Sequence, residues 1–68
     1  MDIMLLDQSG NKVETVQMPS VPRVGEVIKV VGVSQYSRPF KVTGVQYEFQ
    51  GEVENLRFMW TYVIVEEC

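Results

Sequence analysis

The segment from Pro19 to Val31 constrains the fold of this chain more than any other. Pro19 and Pro22 stiffen the approach, Val24-Gly25-Glu26 follows, and the apolar run Val27-Ile28-Lys29-Val30-Val31 comes directly after. Proline lacks the N–H that a strand ladder needs, and glycine accepts backbone angles that other residues resist. A stiff extended approach, a glycine corner and then a strand describe the corner of a small β-barrel. The 68 residues allow one domain, residues 1–68, near the lower size limit for a chain that folds alone. Hydrophobic residues make up 46% of the chain, enough for a packed core and too many for a disordered segment.

Turn formers divide the rest of the chain into strands. Ile3 to Leu6 is read as the first strand, and Gln8-Ser9-Gly10-Asn11 as the turn of a hairpin. Lys12 to Gln17 is the second strand. Met18 to Val24 is an extended connection across the barrel edge, Glu26 to Val33 the third strand, Phe40 to Phe49 the fourth and Leu56 to Glu66 the fifth. In the fourth strand Phe40 and Val42 share one parity, while Val45, Tyr47 and Phe49 share the other. Both sets point inward only if one extra residue separates them, and Thr43-Gly44 is the natural place for that bulge. A bulge there bends the strand sharply and lets short strands curl. No window carries the 3.6-residue periodicity and capping residues of a helix.

Several chemistries are disfavoured by what the chain lacks. It has no histidine, the commonest general base and metal ligand, and its single cysteine is Cys68, the last residue. No nucleophile–base pair can be assembled, so the chain is read as neither an enzyme nor a metal or cofactor protein. No apolar run approaches the roughly 18 residues of a membrane span. The start, Met1-Asp2-Ile3-Met4-Leu5-Leu6-Asp7, lacks the basic region of a secretory signal, so a cytoplasmic location is expected.

Two segments carry candidate contact residues. Residues 20–47 hold Arg23, Lys29, Arg38 and Lys41 against Glu26 alone, a basic island in a chain of net charge −3. Within it lies Gln35-Tyr36-Ser37-Arg38-Pro39-Phe40-Lys41, where an aromatic beside an arginine can stack on a base or fill a partner's pocket. Tyr36, Arg38 and Lys41, with Arg23 nearby, are the candidate ligand- or partner-binding residues; the alternative is a core Phe40 with solvated cations. In the fifth strand, parity groups Leu56, Phe58, Trp60, Tyr62 and Ile64 on one face and Met59, Thr61, Val63 and Val65, with Arg57, on the other. Both faces are mostly apolar, so either the strand turns each face inward in succession or one face meets a partner. Met59, Trp60 and Tyr62 are the candidate interface residues.

Pro22-Arg23-Val24-Gly25-Glu26-Val27-Ile28, followed by Phe40-Lys41-Val42-Thr43-Gly44-Val45 and an apolar last strand, resembles short SH3-like barrel proteins of bacteria and their phages. The resemblance covers about residues 19 to 65 and implies an antiparallel five-stranded barrel with a strongly bent fourth strand. It carries across no active site. With the composition, it leads to a non-enzymatic protein-binding or adaptor module that self-associates, in its sharper form a phage-type inhibitor of a host protein. The alternative is a binder of nucleic acid or a small nucleotide through hairpin 34–41, although six basic residues are few for gripping a polyanion.

Overall fold

The computed structural model describes residues 1–31 and 37–68, with side chains described outside 30–38. Five strands form one sheet: β1 (Asp2–Leu6), β2 (Lys12–Gln17), β3 (Val27–Val31), β4 (Ser37–Gln50) and β5 (Arg57–Glu67). Their spatial order is β2-β1-β5-β4-β3. The described residues contain no helix, and the sheet curls into a half-barrel.

Two expectations need correction. The sheet is mixed, because β1 runs parallel to β5 while every other neighbouring pair is antiparallel. The parity of the side chains does not reveal this, since alternation is the same in either direction. The roll is also open: β2 and β3 stand at opposite ends of the strand order and do not pair. The chain between them must therefore cross the whole sheet. It does so over the inner face, where Met18 and Val21 pack against the core and Pro22 is buried. The proline-rich segment is thus a lid on the core.

The glycine corner forms as its residue types require. Glu26 N–H donates to the Arg23 carbonyl at 3.1 Å across a four-residue turn, and Gly25 adopts φ +95° at its third position. The Glu26 carboxylate accepts the Arg23 N–H. Gly25 N–H donates to the Val42 carbonyl and Val42 N–H to the Glu26 carbonyl, both at 2.9 Å, so the corner is fastened to β4 just before β3 begins.

The core is one layer of side chains on the inner face: Ile3 and Leu5 from β1, Phe40 and Val42 from β4, Val63 and Val65 from β5. The bulge forms at the expected place. Val42 pairs with Val65 and Gly44 with Ile64, which leaves Thr43 as the extra residue. Its hydroxyl donates to the Ile64 carbonyl at 3.2 Å and accepts from Gln8 Nε2 at 3.3 Å. Past the bulge Val45 returns to the core side. Gly44 leaves room for Ile64, whose Cδ1 would lie 3.4 Å from an added Cβ.

β4 and β5 are much longer than their neighbours. β1 accompanies β5 only from Thr61 to Ile64, and β3 accompanies β4 only from Ser37 to Lys41. From Glu48 to Trp60 the hairpin is therefore a two-stranded ribbon beyond the core, and the molecule measures 43 × 22 × 22 Å. The ribbon turns at Gly51, where φ is +126° and an added Cβ would collide with the Asn55 carbonyl oxygen. Gly25 also has positive φ, but its added Cβ would meet open space. Gly51→Ala should therefore destabilise the fold by more than Gly25→Ala, for which the left-handed backbone alone costs about 1–2 kcal/mol. Urea unfolding of the two variants beside the parent checks the order.

Candidate aromatic face of the ribbon

The site is built by a second bulge. Glu48 pairs with Trp60, but Phe49 pairs with Phe58, so Met59 is the extra residue on β5. Two residues of β5 pass against one of β4, and side-chain parity reverses. Phe58 thus leaves the face of Trp60 and Tyr62 and joins that of Tyr47 and Phe49. Its ring centroid lies 5.6 Å from that of Phe49 in an edge-on arrangement and 6.5 Å from that of Tyr47 at a tilt of 53°. These spacings fall in the range aromatic pairs prefer.

This aromatic face continues the inner face of the core without being covered by it. Tyr47, Phe49 and Phe58 remain 53%, 54% and 52% exposed, whereas Val63 and Val65 farther along β5 are buried. Polar side chains are sorted to the other side of the ribbon. Tyr62 donates its hydroxyl to Glu48 Oε1 at 3.2 Å, and Gln50 stands opposite Arg57 in register. Directly opposed residues share a face. The face of Tyr47, Phe49 and Phe58 therefore carries no charged side chain between Val45 and the turn at Gly51.

The residues singled out from the sequence fall elsewhere. Tyr36 lies outside the described residues, and of Arg38 only the backbone, paired with Val30, is described. Arg23 is exposed at the corner turn. Lys41 is exposed on β4, with Val27 as its register partner on one side and Glu66 on the other. Gly25 and Glu26 bond to Val42, so the corner turn is fastened beside Lys41, and Glu66 opposite Lys41 offsets part of its positive charge. Of the interface candidates, Met59 is exposed at the bulge, while Trp60 and Tyr62 are half-buried on the outer face. There Tyr62 pairs with Met4, and Ile64 with Leu6. The parity grouping of the fifth strand is corrected at Phe58, because the Met59 bulge moves it across. The missed residues are Tyr47, Phe49 and Phe58. Parity already placed Tyr47 and Phe49 on the inward side of β4; what it could not show is that the core ends before reaching them.

Comparison of the chain with protein-family models, with curated proteins and with solved structures finds no match.

Partial burial on the outer face, the nearby Glu48 charge and the hydrogen bond to Glu48 together hold the Tyr62 phenol above its ordinary value of 10.0. The fold thus favours the neutral phenol. Above about pH 10 the unfolded chain loses this proton more readily than the folded one, so stability falls as pH rises. Thermal melts between pH 9 and 11 should show a steeper loss for the parent than for Tyr62→Phe, and Glu48→Gln should lie between them.

Proposed function

We propose that this chain is a non-enzymatic protein-binding module of SH3-like type that presents the β4–β5 ribbon to its partner, with the face of Tyr47, Phe49 and Phe58 as the contact surface. The observation that carries this reading is the half exposure of three aromatic rings in contact, Phe49 and Phe58 on the two-stranded ribbon and Tyr47 at its base. A two-stranded ribbon is marginal in water by itself. Aromatic rings gathered on one of its faces gain from being covered. At about 25 cal/mol per Å² and roughly 100 Å² still open on each, covering one ring favours association by about 2–3 kcal/mol before the entropic cost of docking. A ligand of this face is recognised by shape and apolar area, because the face offers no charge to read.

Sheet-edge addition is the weaker mode for this ribbon. The outer edge of β5 is interrupted within the ribbon by the bulge at Met59. Bulges of this kind blunt an edge against pairing with another strand. Contact through the face fits better than contact through the edge, and the protein-inhibitor form suggested by the resemblance would use the same face.

Replacing Phe49 with a photo-crosslinking phenylalanine analogue and irradiating living source cells tests the reading. Covalent adducts to protein should form there, and should be absent when the same analogue replaces Arg57 on the opposite face. Adducts of equal yield at both positions, or none at either, would sink it.

A further inference from the structure

We infer that β3 offers its free edge to an extended acidic segment of a partner protein, which adds to the sheet beside Val27–Val31 and sets a carboxylate opposite Lys29. This site lies apart from the ribbon and uses none of its residues. Backbone geometry comes first. β3 is the last strand of the order β2-β1-β5-β4-β3, so only one of its edges is paired. Val42 N–H donates to the Glu26 carbonyl at 2.9 Å, and the register then runs from Val27 with Lys41 to Val31 with Ser37. In an antiparallel pair the bonded residues alternate. Ile28 and Val30 therefore turn their amides to β4, while Val27, Lys29 and Val31 aim theirs outward. A row of free N–H and C=O groups is a template for an extended chain.

The two outer strands of the sheet differ as templates. The β1–β2 ladder shifts register between Leu5 and Leu6, and an irregularity of this kind twists an edge away from pairing. The β3–β4 ladder has no such shift. β3 also holds neither glycine nor proline, and Val27, Ile28, Val30 and Val31 are all β-branched. Of the two, β3 is the edge built to accept a strand.

Charge decides which strand. Val27 and Lys29 lie two residues apart on one face and both are exposed. The sheet neighbour of Lys29 is Pro39, so no carboxylate stands opposite it, and among the described residues Lys29 makes no ion pair. Arg23 is exposed at the corner that leads into β3, where the Glu26 carboxylate is engaged by the Arg23 N–H. An added strand places one side chain opposite Lys29 and another opposite Val27. Opposite charges directly across a ladder favour pairing and like charges oppose it. The first position therefore takes Asp or Glu, and the second an apolar or β-branched residue. A second copy is the wrong occupant. Antiparallel pairing of two β3 edges about their centre sets Lys29 against Lys29, which is how an edge lysine deters its own kind. The net charge of −3 does not reverse the preference for an acid, because salt screens charges farther than about 8–10 Å while Lys29 is in contact.

Panning the full chain against a displayed library of random dodecapeptides, followed by NMR with the recovered peptides, tests the inference. The recovered sequences should carry Asp or Glu two residues from Val, Ile or Thr. Bound peptide should slow amide exchange at Val27, Lys29 and Val31 and leave the ribbon from Glu48 to Trp60 unchanged. Lys29→Glu should weaken the recovered acidic peptides roughly tenfold and, when panned itself, should select Lys or Arg at that position. Lys12→Glu, on the opposite outer strand, should change neither result. Should Lys29→Glu lose its far-ultraviolet dichroism, Lys29→Gln takes its place, with a loss of roughly threefold expected. An empty panning, recovered peptides without acidic enrichment, or affinity that survives the Lys29 variants overturns the inference. Peptides that protect the ribbon and not β3 also overturn it, while leaving the ribbon reading in place.

Discussion

Four residue pairs between β1 and β5, Ile3 with Thr61 through Leu6 with Ile64, join the N-terminal hairpin to the rest of the sheet. The core depends on this short parallel contact. It sets Ile3 and Leu5 beside Val63 and Val65, and these four side chains are buried almost completely. Val42 completes the layer from β4 through its pairing with Val65. Without the parallel pairing, β1 and β2 would be an isolated hairpin, and the remaining strands would lose the apolar partners on one side. Parallel pairing demands a long connection between the paired strands, and here almost the whole chain supplies it.

The crossing segment follows from that arrangement. Once β1 and β2 lie on one flank and β3 on the other, residues 18–26 must travel from edge to edge. An extended path over the inner face costs least if the segment brings apolar groups and few unpaired amides. Pro19 and Pro22 have no amide to satisfy, while Met18 and Val21 supply apolar cover. The corner at Gly25 then bonds to Val42, so the crossing ends on the strand whose bend shapes the core.

The ribbon is the part of the molecule that this economy leaves over. β1 and β3 have five residues each and cannot flank the full lengths of β4 and β5, which have 14 and 11. The inner face therefore runs on past its cover, still apolar, and ends in Tyr47, Phe49 and Phe58. A stretch of strand that keeps the side-chain pattern of a core but has nothing packed on it favours a partner. The half-burial of Trp60 and Tyr62 on the outer face has a different origin. Their parity neighbours Met4, Leu6 and Ile64 form an apolar strip on the sheet's own surface.

Local chemistry made the strands, the turn before Lys12, the glycine corner and the Thr43 bulge legible in the sequence. Each is set by residues adjacent in the chain: a proline without a donor, a glycine with a free φ, a parity that shifts by one between Val42 and Val45. The direction of β1, the openness of the sheet and the Met59 bulge were not legible. Those depend on which strand lies beside which and in what register, and the side-chain pattern of a single strand is indifferent to both. The aromatic group shows the division most sharply. Its members and the inward parity of Tyr47 and Phe49 are written in the chain, but their union with Phe58 and their exposure arise only when β4 and β5 pair beyond the reach of β1 and β3.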